Sequence, residues 1–176
     1  MAKAYFAGGC FWCNEAVFQM IKGVKGIDSG YAGGKTDHPS YEEVSTGTTD
    51  HAETICVDYD PSVISYDDLL YIFFKSHDPT TLDQQGEDVG SQYRSVIFYV
   101  DQRQYQSAQK ALKTAQENFE VSIVTEILPL KYFYKAEGYH QDYYKNNPGA
   151  TYCKVVIDPK IQKLKKDLGN YINETN

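Results

Sequence analysis

Strand-like runs alternate with helical periodicities along the whole chain, with no regular repeat and no glycine-rich phosphate loop. That pattern predicts an α+β fold, a two-layer sandwich in which a mixed or antiparallel sheet packs against helices. Residues 3–7 read as a strand that stops at Gly8-Gly9, after which Val17, Met20, Ile21 and Val24 share one helical face. The loop-rich stretch 26–50 is expected to hold a short strand at 29–32 and a helical turn near Tyr41. Residues 53–60 alternate as a strand closed by Pro61. Ser65 then opens a helix with Asp67 and Asp68 in its first turn and Leu69, Leu70, Ile72 and Phe73 on its buried side.

The apolar run 95–100 suits a central strand, and Asp101 caps a helix carrying Ala108, Ala111, Leu112 and Ala115 on one face. Residues 122–128 give another strand. A helix around 139–145 is broken by Asn146-Asn147-Pro148-Gly149, and beyond 154–157 Pro159 fits the first turn of a last helix presenting Ile161, Leu164 and Leu168. Residues 77–92 show no apolar period; connections of that length in a compact domain are more often functional than idle, so they read as a site loop.

Charge and cysteine content then narrow the function. With 17 basic and 24 acidic residues the net charge is 17 − 24 = −7, the wrong sign for a phosphate backbone or an anionic membrane surface. The start of the chain reads as a strand, not as a signal peptide, and no stretch approaches a membrane span, which predicts a cytoplasmic protein. The sequon at Asn173 is then without consequence. Four cysteines, Cys10, Cys13, Cys56 and Cys153, are too few for a structural framework in 176 residues and are expected to be reduced, so chemistry is the better use for them. The 16 tyrosines exceed ordinary usage and also call for a use.

The densest chemical signal is Gly8-Gly9-Cys10-Phe11-Trp12-Cys13. The glycines permit a tight turn, and a thiol at the following helix N-terminus gains from unpaired N–H groups and the helix dipole, so Cys10 should ionise more readily. Most free cysteines are small buried hydrophobes, the role expected of Cys56 within its strand. Phe11 and Trp12 could equally be core, but beside a nucleophile they form an apolar wall suited to a small apolar group on an electrophilic sulfur.

With these residues in view, the sequence resembles the methionine-sulfoxide reductase A family. Gly9-Cys10-Phe11-Trp12 is similar to its signature, followed by Gly30-Tyr31-Ala32-Gly33-Gly34, His51-Ala52-Glu53 and His77-Asp78-Pro79. Gln85-Gly86-Glu87-Asp88-Val89-Gly90, Gln92-Tyr93-Arg94-Ser95 and His140-Gln141 continue it across nearly the whole chain. The resemblance implies reduction of the S epimer of methionine sulfoxide, protein-bound or free, with Cys10 as nucleophile and a sulfenic acid left on it. A sulfoxide oxygen leaves only once protonated or strongly hydrogen-bonded. Glu53 matches the family's catalytic acid, Tyr41 and Tyr93 its two phenols, and Asp88 a residue that orders the pocket. His51, His77 and His140 lie in matching segments and are given no catalytic role.

The resemblance further implies a resolving cysteine, no bound cofactor or metal, and thioredoxin as external reductant. Cys153 matches the region that commonly supplies the resolver and follows a Pro-Gly segment from which the tail could swing towards Cys10. Cys13, where many members have glycine, makes Cys10-x-x-Cys13; either or both in relay would serve. The expected protein is a monomer with one catalytic domain over 1–176, a ferredoxin-like core with long loops, and an aromatic tail from roughly 132 wrapping that core. Three rivals stand beside this reading: a dithiol-disulfide oxidoreductase on Cys10-x-x-Cys13, a zinc module using Cys10, Cys13, His51 and Cys56, and a non-catalytic methionine-binding domain.

Overall fold

A computed structural model describes residues 1–173. Its strands are β1 (Ala2–Ala7), β2 (Val24–Ala32), β3 (Ala52–Tyr59), β4 (Gln84–Gln85), β5 (Asp88–Val89), β6 (Val96–Tyr99), β7 (Glu126–Pro129) and β8 (Phe133–Lys135). Its helices are α1 (Phe11–Phe18), α2 (Tyr41–Ser45), α3 (Tyr66–Ser76), α4 (Gln102–Gln116), α5 (Tyr143–Asn146) and α6 (Asp158–Asp167). Six strands form one mixed sheet in the order β7-β6-β1-β3-β2-β8, antiparallel throughout except for the parallel pair β6–β7. Helices α1 and α3 each join strands that leave room for one more between them, so β3 enters between β1 and β2, and β1 between β3 and β6. The α+β class read from the alternation is the observed one.

The period of two along each strand sorts side chains between two clusters. Ala4, Phe6, Tyr31, Ile55, Val57 and Ile97 join the main core with the helices. Ala7, Ala32, Ala52, Val96 and Phe98 form a smaller core on the other face, covered by Tyr5, Leu128, Leu130 and Phe133. Full burial contributes roughly 1.5–3 kcal/mol for a side chain of the Phe or Leu kind, which makes β3 the strand that register errors would harm most. Seven of its eight residues are buried, Asp58 being half-buried. Helix α3 starts where Ser65 predicts: the Ser65 hydroxyl accepts from Asp68 N at 3.0 Å, while the Asp68 carboxylate accepts from Ser65 N at 3.1 Å.

Several elements differ from the sequence pattern, each for a physical reason. Val24 starts β2 instead of extending α1, because Gly23 turns the chain at φ +87°. Helix α1 buries seven of its eight residues, since it is enclosed by the sheet on one side and the C-terminal segment on the other, so no amphipathic stripe marks its end. The strand expected over 122–128 shrinks to β7, and 133–135 adds an edge strand, β8, that its short aromatic stretch did not announce. The run 95–100 lies one strand in from the sheet edge. Residues 77–92 hold the small hairpin β4–β5, pinned by the Gln85 amide, which accepts from Asp78 N and donates to Asp78 O. Residues 153–157 are a π-helical turn leading directly into α6.

The C-terminal segment is tied to α1 by the buried Glu15 carboxylate, which accepts from Asp142 N at 2.9 Å and Tyr143 N at 3.2 Å, and by Asn173 N donating to Met20 O at 2.9 Å. Among the described residues no helix is long and apolar enough to cross a membrane.

Candidate active site

β1 delivers the chain to Gly8-Gly9, and Gly9 takes φ +91° with its N–H on Tyr93 O at 3.2 Å. A Cβ at Gly9 would come within 2.7 Å of the Gln85 side chain, so glycine is demanded twice, by conformation and by space. Cys10 is thereby placed as the residue preceding the first turn of α1, where its carbonyl accepts from Cys13 N and Asn14 N. Its side chain is 8% exposed, enough to meet a small ligand and too little to be hydrated freely.

Glu53 reaches the same point from β3. The carboxyl is 2% exposed, and Oε2 accepts from Phe11 N at 2.9 Å, an N–H of the first helical turn. Burial lifts its pKa to about 8, with the charges of Asp88 and Cys13 adding to the rise against that hydrogen bond. At neutral pH Glu53 is therefore a protonated, dry acid beside a thiol. Tyr93, at the end of the turn Ser91–Tyr93, and Tyr41, first in α2, both have phenols raised by burial first and then by the fields of Glu53, Cys10 and Asp88.

The thiols behave differently from the sequence expectation. Burial pushes Cys10 well above the ordinary thiol range, and its proton is shared with Cys13, whose pKa falls to about 7 because Cys10 hydrogen-bonds to it. The helix N-terminus does not outweigh desolvation at this depth, which holds the proton on Cys10. Cys13 Sγ also lies 3.5 Å from the Tyr152 hydroxyl, which donates to Asp88 Oδ2 at 2.7 Å. Cys153 is wholly buried within the π-helical turn, and burial raises its thiol too; it does not sit on a free tail.

Aromatic side chains enclose this centre. Trp12 stacks on Tyr143 with centroids 3.6 Å apart and donates from Nε1 to His140 Nδ1 at 3.1 Å. Phe11 packs against Tyr31 and His140. His140 in turn packs against Tyr41, the rings tilted by 52° with centroids 4.6 Å apart. Glu137 fixes two of these pieces at once, accepting from the Tyr31 hydroxyl and from Tyr41 N, both at 2.9 Å. Glu137 and Tyr152 escaped sequence reasoning, their one signal being membership of a tail dense in aromatics, and His140 was named in a matching segment without a role.

The four proposed zinc ligands are not assembled. His51 bonds to Gly34 N and Thr36 O, and Cys56 points to the opposite face of β3 from Glu53, near Lys3 Nζ at 3.8 Å. Among the described residues no group of three or more His, Cys, Asp or Glu could hold a metal ion. His77, bonded to Phe73 O and Ser95 Oγ and lowered by burial to about 4, is a neutral structural imidazole.

A pair of thiols one helical turn apart at a helix N-terminus, beside a buried carboxyl that keeps its proton at neutral pH, defines a thiol oxidoreductase. Residues 2–171 match the family model described as peptide methionine sulfoxide reductase. A peptide methionine sulfoxide reductase MsrA of Acinetobacter baumannii strain AYE is 51% identical over 164 residues, 93% of this chain and 94% of that one. Mxr1 of Saccharomyces cerevisiae in reduced form superposes with a TM-score of 0.82 at 38% identity, covering 86% of this chain and 88% of the other. Mxr1 in complex with Trx2 matches at TM-score 0.59 and 28% identity, over 77% and 81%. The chain belongs to the peptide methionine sulfoxide reductase family.

Proposed function

We infer that the protein reduces the S epimer of methionine sulfoxide, in peptides or free, to methionine with Cys10 as nucleophile. The observation that carries the reading is the buried, protonated Glu53 carboxyl beside the Cys10 thiol. The substrate methyl would rest on Phe11 and Trp12, and the sulfoxide oxygen would accept from Tyr41, Tyr93 and Glu53. As the Cys10 sulfur bonds to the sulfoxide sulfur, Glu53 delivers its proton to the oxygen and takes up the one the thiol loses, the sulfur–oxygen bond of the sulfoxide breaks, and the oxygen ends on Cys10 as a sulfenic acid with release of methionine. Substrate enclosure removes water from the site, which strengthens each of these hydrogen bonds at the moment charge develops on oxygen. Asp88 orders this pocket through Tyr152.

The sulfenic acid is then closed by a second thiol. Cys13, one helical turn away and already sharing a proton with Cys10, supports a first disulfide there, with Cys153 receiving it afterwards. An external dithiol of the thioredoxin class reopens the last disulfide, a role that the complex of Mxr1 with Trx2 makes the first to test. No bound cofactor takes part. The chain 1–176 acts as one catalytic domain and as a monomer, and the four free thiols suit the cytoplasm.

The test is turnover of a mixed-epimer methionine-sulfoxide peptide with thioredoxin and NADPH-dependent recycling, for wild type, Cys10→Ser, Cys13→Ser and Cys153→Ser. Consumption of one epimer, abolished to the first turnover only in Cys10→Ser, is the expected result. Sulfoxide left intact while Cys10 and Cys13 still exchange disulfides would instead support the dithiol oxidoreductase.

A further inference from the structure

The reaction as drawn makes no direct use of Tyr152, although its hydroxyl occupies the junction of the site. It donates to Asp88 at 2.7 Å and stands 3.5 Å from Cys13 Sγ, and its ring meets Trp12 edge-on at 5.7 Å. The phenol has one proton, and Asp88 takes it; the contact with Cys13 is then made by the Cys13 thiol as donor, or by the Cys13 thiolate competing for the phenol proton. A disulfide sulfur can do neither well, because it has no proton to give and is a weak acceptor. Formation of a bond at Cys13 therefore removes one of the two polar contacts that fix Tyr152.

Tyr152 is joined by its own peptide bond to Cys153, the first residue of the π-helical turn Cys153–Ile157. That turn is a single widened loop of helix between the Pro148-Gly149 break and α6, with Asp158 N bonded to Cys153 O. Such turns are rare, interrupt the regular hydrogen-bond ladder and concentrate at functional sites. Cys153 is wholly buried and all four thiols are free, so the turn that carries Cys153 governs how its sulfur meets another.

Resting on the function proposed above, we propose that Tyr152 is a positioning residue that latches the Cys153–Ile157 turn until Cys13 has entered a disulfide. In sequence, the Cys13 sulfur displaces the hydroxyl of the Cys10 sulfenic acid, forming the Cys10–Cys13 bond and water. The latch contact is lost and the turn shifts. The Cys153 thiolate attacks Cys13 Sγ, a Cys13–Cys153 bond forms, the Cys10–Cys13 bond breaks, and Cys10 leaves with the electron pair, regaining the proton that Cys153 gave up. Cys10 is then free for a second sulfoxide while the disulfide waits at the tail for the external dithiol. The latch sets the order, since an early Cys10–Cys153 bond would bypass Cys13.

The experiment uses the Cys153→Ser chain, in which the Cys10–Cys13 bond accumulates after one equivalent of methionine-sulfoxide peptide. Amide hydrogen exchange is read by mass spectrometry over 153–158 in the reduced and disulfide forms, and in reduced Tyr152→Phe. Exchange faster by about tenfold in the disulfide form, the factor that one net hydrogen bond supplies, is expected, and reduced Tyr152→Phe should match it. Should Tyr152→Phe not fold, the two redox forms carry the test alone. Methionine and the Cys10–Cys13 bond formed, with exchange over 153–158 unchanged, overturns the latch. No methionine formed by the wild-type chain overturns the parent function instead.

Discussion

The two faces of β3 bury a titratable group each, three residues apart, and only one of them meets chemistry. Glu53 is 2% exposed and Cys56 3%, and burial raises the pKa of both. Around Glu53, five other elements converge: the α1 N-terminus, the turn before β6, α2, the β4–β5 hairpin and the C-terminal segment. Around Cys56 there is the neighbouring strand, with the Tyr5 phenol donating to it and the Lys3 ammonium at 3.8 Å. Burial perturbs a group; what distinguishes a site is a second set of donors and acceptors brought by loops that the sheet merely anchors.

Glu53→Gln is the sharpest way to break the comparison. The amide keeps the shape and loses the acid, so first-turnover sulfoxide reduction should fall by about 10²- to 10⁴-fold, with peptide binding largely retained. Wild-type activity should also decline as pH rises through about 8, where Glu53 gives up its proton, and single-turnover rates against pH check this. Stability carries the same sign. The folded-state pKa lies above the ordinary value of 4.5, so the folded chain binds the extra proton: this contribution is complete below about 4.5 and is lost as pH climbs to about 8. Each pH unit in that window costs at most about 1.4 kcal/mol, and Glu53→Gln should flatten the slope by that amount in denaturant titrations.

The phenols sharpen the comparison on a smaller scale. Tyr93→Phe or Tyr41→Phe removes one donor from the spot that Glu53 faces while keeping the ring that packs there. Each should slow the first turnover by about tenfold, the worth of one hydrogen bond to developing charge, with KM changed little. A rise in KM alone, with the rate intact, would move that phenol from the reaction to the pocket wall.

How far the sequence could be read follows the same division. The features held by one element and its immediate turn carry a local signal, a period or a cap within a few residues, as do Cys10 after Gly8-Gly9 and the Ser65 helix start. Glu53 at a strand start, by contrast, was singled out by the resemblance of His51-Ala52-Glu53 alone. Glu137, His140 and Tyr152 act through partners about one hundred residues or more away, Tyr41, Trp12 and Cys13 among them, and no local pattern encodes that. The Cys10 thiol is raised where the helix N-terminus alone would lower it, for a related reason. A helix N-terminus is visible in sequence, whereas the depth at which it is buried depends on the C-terminal segment that closes over it. Val24 fits a helical period and still starts a strand, because enclosure of α1 on both sides erased the stripe that would have marked its end.

The least effect is expected at Cys56, and it decides whether the comparison holds. Cys56→Ala removes a sulfur on the face away from Glu53, leaving the Tyr5 phenol short of an acceptor and a small gap between β1 and β2. Losses of this kind cost about 1 kcal/mol, which for a chain of this length lowers Tm by roughly 2–4 °C. Sulfoxide turnover and its pH profile should match wild type. Were Cys56→Ala to slow the first turnover as Tyr93→Phe does, the sheet would be transmitting the state of one face to the other through β3 itself. Glu53 would then owe its raised pKa partly to strand position and not to the loops. An unchanged rate at a lowered Tm keeps the two faces separate, one for holding the strand and one for the proton.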